Sequence, residues 1–356
     1  MIRAAAAAST SLLVAAALLV ACGERRRAPA PAASSAAITA RAVSASAPIA
    51  SAPAPIASAP VTQVPADPDE RFLATTAIAA LAPAGGLRRA RGRFDAMLAA
   101  PEGRREATLD IALAADPIAQ RRPLAFYRLA RALGARVVPV TALRHLGVGE
   151  LAAAAEASAE AAAMLRDARV LNDGTVDALL AARGTAHAGS PWRPLSARVI
   201  DPEHAREAAT WQAWASSLVP APGEDAGLLR DYVEMLVLDY LAANVARHQV
   251  LVVAAADRRA LVLADNGSAF PWRPEMSIVD RTLRRLRAAQ RFPRGLRDAL
   301  LAFDRARAAA AFAEGGFDTW LLPPRVRVEI DERRAALLTL LEAKIAARGA
   351  QAVLCL

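Results

Sequence analysis

Lysine is almost missing from this chain. Lys344 is the single lysine among 44 basic residues, and it lies close to the end of 356 positions. Chemistry that needs a compact ammonium on an early strand is thereby excluded, because arginine's planar fork does not replace it one for one. Cysteine is scarce too, with Cys22 and Cys355 only. Cys22 sits in an export-type N-terminus, which leaves Cys355 without a partner for an internal disulfide, so the core must supply stability unaided. Within Val353-Leu354-Cys355-Leu356 it reads as a tail cysteine without a role. The four histidines are His145, His187, His204 and His248. No two have metal-ligand spacing, and only Cys355 could add a thiolate, so a zinc site is not expected. No Gly-x-Ser-x-Gly elbow occurs. Aromatics are 4% of the chain, and the scattered Trp192, Trp211, Trp214, Trp272 and Trp320 read as core or interface residues rather than as a sugar site.

Long apolar runs are also lacking. The stretch from Ala4 to Ala21 is uncharged, but it is short and Ala-rich with Ser9, Thr10 and Ser11 inside it, which argues against a permanent transmembrane helix. Preceded by Met1-Ile2-Arg3 and closed by a small residue, it reads as a secretory signal over residues 1–21. Leu19-Val20-Ala21-Cys22 resembles the bacterial lipobox, which implies that Cys22 becomes the lipidated first residue of the mature protein. An ordinary cleaved signal with a chance cysteine is the alternative. More than one acyl chain on Cys22 would give stable anchoring. Gly23, where an aspartate is absent, implies the outer membrane of the cell envelope. The net charge of +9 would usually raise nucleic acid as a partner. Here the arginines are spread along the chain, so no nucleic-acid partner is expected. Attraction to anionic envelope polymers or lipid headgroups stays open.

Residues 22–68 are Ala, Pro and Ser, with Ser-Ala-Pro recurring, and read as a semi-rigid tether. Residues 69–200 read as a strand-rich half. Strands are expected over 93–98 and 107–113, a helix over 122–133 closed by Gly134, a strand over 136–142 and one Ala-rich helix over 151–165. A hairpin turning at Asn172-Asp173-Gly174 completes this half. Residues 201–350 turn helical, with helices over 203–218 and 225–243, a hairpin from 249–253 to 260–263, and helices over 277–290, 293–312 and 327–347. The 225–243 helix is apolar all round and is expected to be the buried centre. The fold class is α+β, in two lobes.

Two segments give this layout a meaning. The first is Asp239-Tyr240-Leu241-Ala242-Ala243-Asn244-Val245-Ala246-Arg247-His248, then the hairpin, then Asp265-Asn266-Gly267. The second runs from Leu124 to Val140, through Leu133-Gly134 and Val138-Pro139. Both resemble the atypical kinases, the group of the phosphatidylinositol kinases, the HipA-type kinases and the secretory-pathway casein kinases. A weaker likeness lies in Leu283 to Phe292. The resemblance implies a kinase-like domain over about residues 90–320, with a strand-rich N-lobe and a helical C-lobe. It also implies Mg or Mn with ATP as cofactors, Asp265 as metal ligand, and Asn244, Arg247 and His248 as cleft residues, with Arg247 and His248 partly architectural.

The same resemblance exposes three departures. Ala246 occupies the position of the catalytic aspartate, and a methyl group neither takes a proton nor orients a hydroxyl. The nucleotide lysine of the early strand is absent, with Arg104, Arg105, Arg121 and Arg122 as substitutes. Its partner glutamate falls near Pro123, although Glu106 could reach in from a neighbouring strand. Gly85-Gly86 with Gly92 matches no strong phosphate-loop spacing and reads as a turn. The expectation is therefore a catalytically impaired pseudokinase, anchored in the envelope, that binds a small ligand or an envelope protein. The alternatives are an active phosphotransferase or other nucleotide-dependent transferase with relocated residues, among which Asp239, Asp257 and Asp265 are the first acids, or a structural envelope lipoprotein. Asp239 itself reads as a structural hydrogen-bonding residue at the end of the buried helix.

Overall fold

A computed structural model describes residues 68–84, 92–101, 103–115, 120–183, 197–202, 205–247, 250–254, 259–264, 266–312 and 321–356. The leader, Cys22, the tether, Gly85-Gly86, Trp192, His187, His204, His248, Asp257, Asp265 and Trp320 lie outside these described residues.

The first half is built on a five-stranded antiparallel sheet. Its strands are β1 (Ile78–Pro83), β2 (Arg93–Ala100), β3 (Gly103–Ile111), β4 (Thr141–Gly147) and β5 (Thr175–Ala182), in the order β1-β2-β3-β5-β4. Register follows the alternation of the sequence: Ala96 faces Ala107, Leu109 faces Leu180, and Ala142 also faces Leu180. This puts Phe94, Ala96, Leu98, Ala107, Leu109, Ile111, Ala178 and Leu180 on one buried face. A one-residue slip would expose all of them, so the pattern itself fixes the register. The other face carries Asp95, Glu106 and Arg183, which form an ion-pair triad across β2, β3 and the end of β5.

Helices α1 (Pro68–Thr75) and α2 (Arg121–Ala132) are tied together by Glu70, which accepts from both Arg131 and the Tyr127 hydroxyl. The Ala-rich stretch expected as one helix is two, α3 (Val148–Ala155) and α4 (Ala159–Leu165). Ser158 makes the break: it is extended, and its Oγ accepts the Ala161 N–H at 3.1 Å. Such a cap is worth about 1 kcal/mol and competes with helix continuation. The strand expected over 136–142 begins only at Thr141. Pro139 has no N–H to donate to a ladder. Val137, Val138 and Val140 are still buried, and the segment's carbonyls serve elsewhere: Val140 O takes the Ala182 N–H and Val137 O takes the Leu263 N–H at 2.8 Å.

The second half is helical around α6 (Ala226–Leu241), with a small antiparallel sheet of β6 (Ala197–Ile200), β7 (Val250–Ala254) and β8 (Arg259–Val262). Every residue of α6 from Leu228 to Leu241 except Arg230 is buried, as a helix apolar all round should be. Asp225 caps its start by accepting the Leu228 N–H at 3.0 Å. The acids on α6 are each satisfied: Asp231 accepts the Leu261 N–H at 2.9 Å, and Glu234 accepts from Arg230 Nε at 2.9 Å and the Arg136 N–H at 3.2 Å. Around it lie α5 (Arg206–Ala215), α7 (Met276–Ala288), α8 (Leu296–Ala302), α9 (Arg305–Ala311), α10 (Pro324–Arg348) and α11 (Ala350–Val353). The single helix expected over 293–312 is split into α8 and α9 because Asp304 caps a new start, accepting the Arg307 N–H at 2.8 Å. No helix among the described residues is long and apolar enough to cross a membrane.

Candidate functional site

The site begins where α6 ends. The Ala243 N–H bonds Tyr240 O at 3.2 Å and the Asn244 N–H bonds Asp239 O at 2.9 Å, the pair of bonds that defines a Schellman cap. Ala243 takes the left-handed conformation, φ 46°, that this cap requires. A non-glycine residue pays about 1–2 kcal/mol for it. The turn swings Asn244 back over its own helix, so that its Nδ2 donates to Asp239 Oδ1 at 2.9 Å. Its Oδ1 faces the Ala246 N–H at 3.5 Å.

Arg247 then closes the loop. Its Nε donates to Asp239 Oδ2 at 3.0 Å, and its Nη2 reaches Asp239 Oδ1 at 2.7 Å and Asn266 Oδ1 at 2.8 Å. Asn266 spends its Nδ2 on Leu263 O at 2.8 Å. The guanidinium lies 5.4 Å from the centroid of Phe126 on α2. Phe126 meets Phe270 edge-on at 6.4 Å, and Phe270 meets Phe312 at 6.1 Å. Phe270 is also held left-handed, φ 54°, with its N–H on Ala242 O at 2.7 Å. The end of α6, the loop from Asn244 to Arg247, the segment after β8 and the N-lobe helix α2 are therefore one bonded unit. Asp239, Asn244, Arg247 and Asn266 are all buried. Buried polar groups need partners, and these four supply one another.

This arrangement positions the loop that carries Ala246. Ala246 is half-buried and offers a methyl. Asp239 is bonded by Arg247 and Asn244, as expected of a structural acid. Among the described residues no group of three or more His, Cys, Asp or Glu side chains could hold a metal. Asp265, expected to ligate one, and His248 lie outside the described residues, as does Asp257.

The substitutes for the missing lysine are dispersed. On the buried face of the sheet, β3 presents Arg105, Ala107, Leu109 and Ile111. Arg105 stacks on Phe72 of α1, 4.5 Å from the ring centroid. Arg122 turns its Nη1 towards Gly267 O at 3.5 Å. Glu106 lies on the face of the sheet opposite Leu109 and pairs with Arg183.

A separate groove of about 380 Å³ lies at the other end of α2, lined among others by Arg131, Leu133, Glu234, Val237 and Leu296. Its charged groups are committed, Arg131 to Glu70 and Glu234 to Arg230 and the Arg136 N–H. Sequence reasoning missed the roles of Phe126 and Asn266. The demand was visible: a buried arginine with one aspartate nearby needs further acceptors for its N–H groups.

No protein-family model matches the chain, and no curated protein matches it in sequence. Solved structures do match in fold. The Golgi casein kinase superposes with a TM-score of 0.55 at 14% identity, covering 80% of this chain and 77% of that one. The same kinase with Mn/ADP bound gives 0.54 at 15%, with the same coverage. Hydra Fam20 with sugar gives 0.54 at 14%, covering 80% of this chain and 90% of that one. The chain thus has a kinase-like α+β fold, with an antiparallel sheet in its first half and helices in its second.

Proposed function

We propose that this chain is a lipid-anchored envelope protein whose kinase-like domain is a pseudokinase, serving as a binding module for a small ligand or an envelope partner. One observation carries the reading. The polar residues around Ala246, where the motif resemblance puts the catalytic aspartate, are Asp239, Asn244, Arg247 and Asn266, and they are bonded to one another. The motif residues that match the kinase pattern do architectural work here. On the buried face of β3 the one cation, Arg105, is stacked on Phe72. The Golgi casein kinase takes Mn and ADP on the same fold, so these are the ligands to test first. Anchoring through Cys22 in the outer membrane belongs to the same proposal and rests on the lipobox-like segment alone.

The test is phosphoryl or adenylyl transfer by the purified chain, with ATP, Mg or Mn and candidate acceptors. No transfer above the Asp265→Ala background is expected. Transfer that needs Asp265 would support instead a transferase with relocated residues. Labelling with a radioactive fatty acid, lost in Cys22→Ser, checks the anchor separately.

A further inference from the structure

Among the described residues, several arginines pair with carboxylates, and a group of cations at the ends of α7 and α10 does not. On α10, Arg325 pairs with Glu329, Arg334 with Asp331, and Glu342 with Arg297. Beyond Glu342 the pairing stops. Lys344 donates from Nζ to Arg287 O at 2.8 Å, and Arg348 donates from Nη1 to Gln290 Oε1 at 2.6 Å. These bonds set the end of α10 against the end of α7. Arg284 and Arg287 are exposed on α7 beside them. Among the described residues, no carboxylate pairs with Arg284, Arg287, Lys344 or Arg348. Burial first, and the neighbouring Arg348 second, hold the Lys344 ammonium below its ordinary pKa. Cations at helix C-termini gain from the helix dipole. That accounts for one or two of the four, but not for their convergence.

The same face of α7 begins at Met276, which is 57% exposed, and Trp272, which is 54% exposed, lies in the bend that leads into the helix. Arg273, Glu275 and Asp280 are also exposed along it, so cations outnumber acids over the whole face. The helix alone extends the face by about 20 Å. An exposed tryptophan and methionine at one end and unpaired cations at the other form an amphipathic surface of the kind that settles at a lipid–water boundary.

We propose that this face docks on an anionic phospholipid surface. Trp272 and Met276 enter the interfacial region, and Arg284, Arg287, Lys344 and Arg348 meet lipid phosphates. A soluble polyanion would answer the cations but would gain nothing from Trp272 and Met276, which is why a bilayer is the better fit. The contact needs no acyl chain and is independent of the Cys22 proposal.

The experiment uses the full chain with Cys22→Ser, sedimented with phosphatidylcholine vesicles with and without phosphatidylglycerol. Binding is expected to require phosphatidylglycerol and to fall as salt rises. The triple variant Arg284→Gln/Arg287→Gln/Arg348→Gln is expected to bind at least about tenfold more weakly, given the attraction of each basic residue to an anionic surface. Lys344 is left in place because it bonds the end of α7. Trp272→Ala should weaken binding further. Equal binding by the triple variant would overturn the proposal, and so would binding to a soluble sulfated glycan without binding to vesicles. If the triple variant lost its cooperative melt, salt release of the unaltered surface from anionic vesicles would decide between the same two results.

Discussion

Arg247 holds Asp239, eight residues upstream, in a pair whose side chains are each 6% exposed. Through this pair, the last turn of the central helix is joined to the loop that carries Ala246. The guanidinium also reaches Asn266, so one side chain fixes the distance between the two loops that border the site. Removing one partner of a buried pair leaves an uncompensated charge and costs about 3–5 kcal/mol. Arg247→Met is expected to fall in that range in urea unfolding. Asp239→Asn combined with Arg247→Met should cost less than the sum of the two changes, because they share one network. A loss below about 1 kcal/mol for Arg247→Met would mean that the network is not structural.

Glu224 and Arg291 form a second buried pair, with side chains 5% and 3% exposed. Arg291 bonds Ser217 O and Trp214 O as well, holding the loop after α5 against the end of α7. Its hydrogen bonds keep the Glu224 carboxyl below its ordinary value of 4.5. A carboxylate depressed in the folded state contributes stability that is full above that ordinary value and is lost as pH falls through the depressed one. Chemical denaturation from neutral pH down through this window should therefore show an acid limb. Glu224→Gln should flatten it while lowering stability at neutral pH. An unchanged acid limb in Glu224→Gln would assign acid sensitivity to other carboxylates.

Ala246→Asp restores one of the missing groups at a half-buried position. A catalytic base is worth about 10²–10⁴-fold only where the reactants are already held. With no lysine on β3 and its Arg105 stacked on Phe72, the variant is expected to stay inactive with ATP and Mg or Mn. Measurable transfer by Ala246→Asp would mean that the cleft still positions nucleotide.

The sequence was legible where one local signal dominated. Asp225 before an apolar run announced α6, and alternation announced β2 and the hairpin of β7 and β8. It was less legible where a cap outweighed periodicity. Ser158 and Asp304 each divided what the apolar spacing read as one helix. Strand β1 was missed because Ile78-Ala79-Ala80-Leu81-Ala82-Pro83 carries little alternation, and its place at the sheet edge is set by pairing with β2. Within the site, the positions of Asn244, Ala246 and Arg247 could be read from the motif. Their partners could not, because Phe126 and Asn266 come from distant parts of the chain that only tertiary packing brings together. The partner of Glu106, Arg183, was hidden for the same reason.

The central claim, that this kinase-like frame holds its site residues in architecture and turns over no nucleotide, is tested most directly by labelled-ATP transfer. The full chain would be compared with Asp265→Ala, in Mg and in Mn. The account predicts the same background signal from both. Phosphoryl or adenylyl transfer that the unaltered chain performs and Asp265→Ala loses would contradict it.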